Sequence, residues 1–315
     1  MLGFFYQIIR TARPRQWLKN FSVFAAPVFS GYLFKPQVFD LSLRAFLVFC
    51  AVSSGVYFLN DIIDAPKDRL HPIKKNRPIA SKKLSESAAW VISFILILGG
   101  IAYAITNVGS FFTLTVILYV LIQIAYSLYV RNVIIMESLF VATGFVVRVF
   151  AGGFASNTSI SSWLALTTIG LSLLLAFGKR RSEKTILAKH VQSDAKTTTR
   201  KILQYYPDTL LDSMISMSAT FCILTYSLFS FQISPQNVSS SLRAVLPSIL
   251  KTPKWMMLTI PLVIYGVARY LYVIYEKEEG ESPERVLLSD APLFGTVVIW
   301  IIGILAIIYL IPAIS

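Results

Sequence analysis

Long apolar runs alternate with polar breaks along the whole chain. Nine of these runs are roughly 20 residues long, the length a bilayer core asks of a helix. They lie near 17–35, 43–63, 87–106, 110–130, 136–156, 160–178, 211–231, 256–275 and 293–313. Pro27 in the first run and Pro261 in the eighth predict kinked helices. The breaks around Gly109 and around Asn157 to Ser161 read as tight hairpins on one face. The long loops, 64–86, 179–210 and 276–292, all fall on the other face. The predicted fold is all-α: a polytopic membrane protein of nine transmembrane helices, built as a single integral membrane domain over residues 1–315.

Composition agrees with the pattern. Of 315 residues, 55% are apolar and only 14% are charged, and the mean hydropathy is +0.66. Those values exclude an ordinary soluble domain. The formal charge of +13 is confined to particular loops, so it points to lipid headgroups and phosphates and not to nucleic acid. Cys50 and Cys222 lie in apolar runs, with neither metal-ligand spacing nor a disulfide framework. No cleavable signal peptide is expected, because the run after Arg10, Arg13, Arg15 and Lys19 continues without a small-residue cleavage site.

Lys and Arg orient the bundle. The N-terminal segment holds four, loop 64–86 seven, loop 179–210 eight and loop 276–292 two, with Arg131 on the same side. The opposite face holds five: Lys35, Arg44, Arg243, Lys251 and Lys254. By the positive-inside rule the N-terminus and the long loops are cytoplasmic, and nine spans put the C-terminus outside. An integral protein of the cell membrane is expected.

The second run ends in Asn60-Asp61-Ile62-Ile63-Asp64-Ala65-Pro66-Lys67-Asp68. At 100° per residue, Asp61, Asp64 and Asp68 fall within about 60° of one helix face, with Asn60 at its edge. Carboxylates this close repel unless a cation lies between them. Hard oxygen donors suit Mg²⁺, which takes one or two carboxylates plus substrate phosphate oxygens. Pro66 predicts that the helix kinks or ends there. Directly after it, Arg69, Lys74, Lys75 and Arg77 lie in a loop stiffened by Pro72 and Pro78, suited to gripping phosphate.

Charges recur elsewhere. Glu137 and Arg148 share one face of the fifth span, and an ionisable group inside a membrane is a functional candidate. The sixth span closes on Gly178-Lys179-Arg180, with Glu183 one turn after Lys179. Asp208 and Asp212 stand where the seventh span begins, either capping it or forming a second metal or substrate site. Tyr126, at the end of the fourth span, is a weaker candidate of the same kind.

An N-D-x-x-D-x-x-x-D signature ending the second of nine spans resembles the UbiA superfamily of intramembrane prenyltransferases. Further matching stretches are Arg13 to Asn20, Asn60 to Ser81, Val147 to Gly153, Gly178 to Arg180, Arg269 to Tyr272 and Gly280 to Glu284. Within the superfamily they are most similar to the decaprenyl-phosphate phosphoribosyltransferase branch. The resemblance implies a UbiA-like nine-helix bundle opening laterally to lipid. It also implies Mg²⁺-dependent transfer of 5-phosphoribose from phosphoribosyl pyrophosphate to a polyprenyl phosphate, for cell-envelope glycan precursors. Asn60, Asp61, Asp64 and Asp68 would then hold the metal. Lys19, Arg69, Lys74, Lys75, Arg77, Lys179 and Arg180 would grip donor phosphates, and Arg148 would meet the lipid phosphate. Two alternatives stay open: an aromatic prenyltransferase of quinone biosynthesis, and a transporter of anionic or phosphorylated solutes. Against the first, Asp208 and Asp212 make only a short second acidic motif. Against the second, the chain has no visible internal repeat.

Overall fold

The computed structural model describes residues 2–70, 74–190, 206–233, 254–277 and 283–310. Parts 191–205 and 278–282 of the expected cytoplasmic loops, with Arg243 and Lys251, lie outside the described residues. Every regular element among the described residues is helical. Helix α1 is Leu2–Ala12, and a 3₁₀ segment, Pro14–Phe24, leads into the short α2, Ala25–Phe29. Then come α3 (Pro36–Asp68), α4 (Glu86–Asn107), α5 (Ser110–Leu128), α6 (Met136–Ser156), α7 (Ser162–His190) and α8 (Asp208–Ile233). Helix α9 is Ile260–Tyr272, α10 is Pro283–Ser289 and α11 is Ala291–Leu305.

Eight of these helical stretches are long and apolar enough to cross a membrane, beginning with Pro36–Asp68 and ending with Ala291–Leu310. They correspond to the second to ninth expected spans. The first differs. Residues 14–29 form a 3₁₀ turn series and a five-residue helix, and Gly31 turns the chain with φ +76°. The sequence explains this: Gln16, Lys19, Asn20 and Ser22 interrupt the apolar run, and Pro27 removes an amide donor.

Two helices outrun their expected ends. Helix α3 continues through Pro66 to Asp68, so Asp64 and Asp68 are helical. The proline costs one backbone hydrogen bond, and the helix stops within a turn of it. Helix α7 runs to His190, so Lys179, Arg180 and Glu183 belong to a helix and not to a loop. No Gly or Pro follows Gly178 for three turns, and Lys179–Glu183 and Arg180–Glu183 pairs support those turns.

Helices in lipid gain little from apolar burial alone, so close approach and interhelical hydrogen bonds carry the packing. Gly152 on α6 meets the Val23 carbonyl so closely that any Cβ would overlap it. Gly170 on α7 packs in the same way on the backbone of Cys222 in α8. Ser93 donates to the Gly55 carbonyl at 2.7 Å, tying α4 to α3. One core joins the 3₁₀ segment to α3, α5 and α6 through Val23, Phe49, Val52, Tyr119 and Val147. A second joins α7, α8 and α9 through Leu174, Phe177, Leu211, Ile215 and Tyr270. The two ends of the chain meet where Phe29 packs edge-on against Trp300 and Tyr309 donates to the Val28 carbonyl at 2.9 Å.

Candidate active site at the end of α3

The acidic residues lie at one end of the bundle, and each carboxylate faces a guanidinium. Asp61 and Asp68 are buried, at 3% and 5% exposure. Arg77 bridges them, at 3.2 Å to Asp61 and 2.7 Å to Asp68. Arg13 bonds the same Asp61 oxygen as Arg77 and lies over the Tyr57 ring. Asp64, turned about 60° around the helix from Asp61, pairs with Arg131 at 2.6 Å. Asn60 accepts from the Ser127 hydroxyl at 2.6 Å. Buried carboxylates are tolerated only with this kind of pairing.

Local structure explains how the arginines get there. Arg13 has left-handed backbone angles, φ 54° and ψ 62°, a strained state for a non-glycine residue. That turn separates α1 from the 3₁₀ segment and aims the side chain at α3. Arg77 is held by a tight loop whose Ile79, Ala80 and Leu84 are buried, with Ile79 and Leu84 packed on Phe58, Ile62 and Ala65. Arg131 sits in the 3₁₀ turn Val130–Asn132 after α5. Trp17 donates to Ser54 at 3.0 Å, and the Asn20 amide lies 3.3 Å from the Ser53 hydroxyl. These bonds lay the 3₁₀ segment along α3.

Beside the acidic end, Arg180 is 2% exposed and Glu137 fully buried. Their side chains meet at 2.8 Å. Arg180 also pairs with Glu183 and donates to Tyr126 at 3.3 Å. The cluster therefore bolts α6 and α7 to the end of α5. Asp208 and Asp212 form a separate group: Asp208 with Lys184 at 2.9 Å, Asp212 with Arg181 at 2.9 Å and with the Tyr275 hydroxyl at 2.8 Å. Tyr206 props this corner, accepting from the Ile135 amide at 2.6 Å, and burial pushes its phenol above the usual range.

Arg148 is buried deeper in the bundle. Its guanidinium donates to Asn20 at 2.8 Å, the Gly144 carbonyl at 2.7 Å and Tyr119 at 2.9 Å. It lies over the Tyr119 ring. Its hydrogen-bond partners are thus neutral protein groups. Glu137, expected on its face, pairs elsewhere with Arg180.

Of the residues expected at the site, Asn60, Asp61, Asp64, Asp68 and Arg77 come together. Arg69 turns away to Glu86 at 2.7 Å, Lys75 is exposed, and Lys19, Lys74 and Lys179 are not buried. Arg13 and Arg131 are the members that sequence reasoning missed. The available signal was stoichiometric, since three clustered carboxylates need more cations than Arg77 alone.

The donor set suits a hard divalent cation, with carboxylate and amide oxygens only, within nine residues of one helix. Among the described residues no three Asp, Glu, His or Cys converge on one point. The carboxylates are instead turned to their arginines, and those same arginines suit phosphate.

A helical bundle of membrane spans with a cluster of acids and arginines at one end defines an integral membrane protein. The chain belongs to the UbiA prenyltransferase family, whose sequence model matches residues 24–294. It is 30% identical over 310 residues to a decaprenyl-phosphate phosphoribosyltransferase of Corynebacterium glutamicum, covering 97% of this chain and 87% of that one. It is 30% identical over 306 residues to the protein of that name from Mycolicibacterium smegmatis, covering 96% and 92%. In fold it is similar to a UbiA homolog from Archaeoglobus fulgidus bound to DMAPP and Mg²⁺ (TM-score 0.64, 18% identity, covering 96% of this chain and 99% of that one).

Proposed function

We propose that the protein transfers 5-phosphoribose from phosphoribosyl pyrophosphate to a polyprenyl phosphate. The observation that carries this reading is the near full-length likeness to relatives named decaprenyl-phosphate phosphoribosyltransferase. A phosphate oxygen of the lipid attacks C1 of the ribose. The bond from C1 to the pyrophosphate oxygen breaks, and pyrophosphate leaves with the electron pair. The lipid phosphate is already an anionic nucleophile at neutral pH, so positioning and charge stabilisation make up the protein's share.

Asp61 and Asp64, with Asn60 and Asp68, would hold Mg²⁺, which when bound offsets the charge growing on the leaving group. Arg13, Arg77 and Arg131 exchange their carboxylates for phosphate oxygens when the donor enters. Lys19, Arg69, Lys74, Lys75 and Lys179 supply the outer positive field. Arg180 acts through its neighbours, holding Tyr126 and the α6–α7 corner in place. Arg148 places a fixed positive charge beneath the site. The active end faces the cytoplasm of the cell membrane, where phosphorylated, Mg²⁺-bound metabolites are found, and residues 1–315 act as one membrane domain. Asp208 and Asp212 brace α8 against α7.

The test is pyrophosphate release by purified protein in nanodiscs with Mg²⁺ and decaprenyl phosphate. Release from phosphoribosyl pyrophosphate, absent without the lipid, is expected. Release instead from an allylic diphosphate with 4-hydroxybenzoate as acceptor would overturn the reading in favour of aromatic prenyl transfer. Accumulation of an intact anionic solute in vesicles, without turnover, would favour a transporter.

A further inference from the structure

A cavity of about 720 Å³ opens between α1, the start of the 3₁₀ segment and α10. Four arginines line it, Arg10, Arg13, Arg15 and Arg285, together with Gln16 and Ser289. Among the described residues none of its lining is acidic. Among the described residues, Arg10, Arg15 and Arg285 have no carboxylate partner, whereas Arg13 spans from the cavity to Asp61. Arg10, Arg15 and Arg285 are exposed, and like charges gathered from two ends of a chain draw an anion toward them. The remaining wall is apolar: Tyr6, Ile9 and Leu288 line the cavity and are each more than half exposed. The strained turn at Arg13 sits at the boundary between this cavity and the acidic site.

We infer that this cavity is a binding site for a phosphate monoester carried on an apolar chain. Arginine forks match phosphate oxygens bidentately. A monoester, with a charge near −2, answers three arginines that lack a carboxylate partner among the described residues better than a phosphodiester with one. The apolar wall gives the first carbons of a lipid a surface that a sugar phosphate does not use. The cavity lies where the start of the 3₁₀ segment meets α10, which brings residues from both ends of the chain to it. The inference rests on the proposed acceptor and names where its phosphate docks, one arginine side chain from the acidic site.

The test uses the full chain in nanodiscs and measures binding, not turnover. The probes are farnesyl phosphate, farnesol, ribose 5-phosphate and phosphoribosyl pyrophosphate. The variants are Arg10→Ala with Arg285→Ala, and the same pair changed to Lys, each checked for an unchanged melting profile. Farnesyl phosphate affinity should fall at least about tenfold in the Ala pair and recover in part in the Lys pair. Farnesol should bind weakly to all three proteins, and the two ribose phosphates should be unaffected. Loss of ribose phosphate binding with farnesyl phosphate unchanged would move the cavity to the donor and overturn the inference. So would unchanged binding of every probe, absence of farnesyl phosphate binding to the wild type, or full displacement by phosphatidylglycerol in the disc. Arginine-dependent binding of farnesyl phosphate without any transfer from phosphoribosyl pyrophosphate would leave the site standing and remove the phosphoribosyl reading alone.

Discussion

The side chains at the candidate site are governed by one constraint: a carboxylate withdrawn from water needs a cation. Asp61 takes two, Arg13 and Arg77, and Asp64 takes Arg131. Glu137 and Arg180 obey the same rule with both partners buried. Glu137→Gln should therefore lower stability by about 3 kcal/mol, the scale for breaking a buried pair from one side. Glu183→Gln should cost less, because its side chain is 19% exposed. Thermal unfolding in detergent measures both, and equal losses would contradict the burial argument. Arg77→Ala should abolish most turnover while Arg77→Lys retains part of it, since Lys keeps the charge but not the fork; steady-state assay of pyrophosphate release decides. At this scale the acids were legible, because their spacing of three and four residues is a local property. Two of their partners were not, because Arg13 and Arg131 lie 48 and 67 residues away along the chain.

Between elements, close contact at glycine decides what fits. Gly152→Ala would push the 3₁₀ segment off α6, since the new methyl meets the Val23 carbonyl. That segment starts directly after Arg13, so both the melting temperature and the turnover should fall. Gly99→Ala, on α4 with nothing within 4 Å, should be neutral or slightly stabilising by helix propensity, by no more than about 1 kcal/mol. A neutral Gly152→Ala would contradict the packing described. Hydropathy located seven of the eight later spans to within a few residues of one end or the other, because lipid-length apolar runs leave few options. It failed at 14–29, where polar residues and Pro27 favour a 3₁₀ path, and at the end of α7, where a charged helix continues past the apolar run.

For the whole molecule, the proposed orientation rests on the charge asymmetry. With the active end cytoplasmic, Lys83→Cys should react with an impermeant maleimide only after cells are opened. Asn157→Cys, at the hairpin between α6 and α7, should react in intact cells. The native Cys50 and Cys222 are buried and leave the background low. Reversed labelling would turn the bundle over and place the site away from cytoplasmic phosphates. The bundle architecture and its acidic end were legible because membrane insertion imposes them directly. The arginine-lined cavity was not, since Arg10 and Arg285 stand at opposite ends of the sequence and only the closed fold unites them.

The most direct measurement is mass spectrometry of the lipid product after incubation with Mg²⁺, phosphoribosyl pyrophosphate and decaprenyl phosphate. The wild type should yield a lipid-linked phosphoribose. Asp61→Asn, Asp64→Asn and the wild type with chelator should each yield at least about a hundredfold less, the scale set by removing charge stabilisation from a transition state. Undiminished product from either Asn variant would contradict the assignment of the acidic end of α3 as the reacting site.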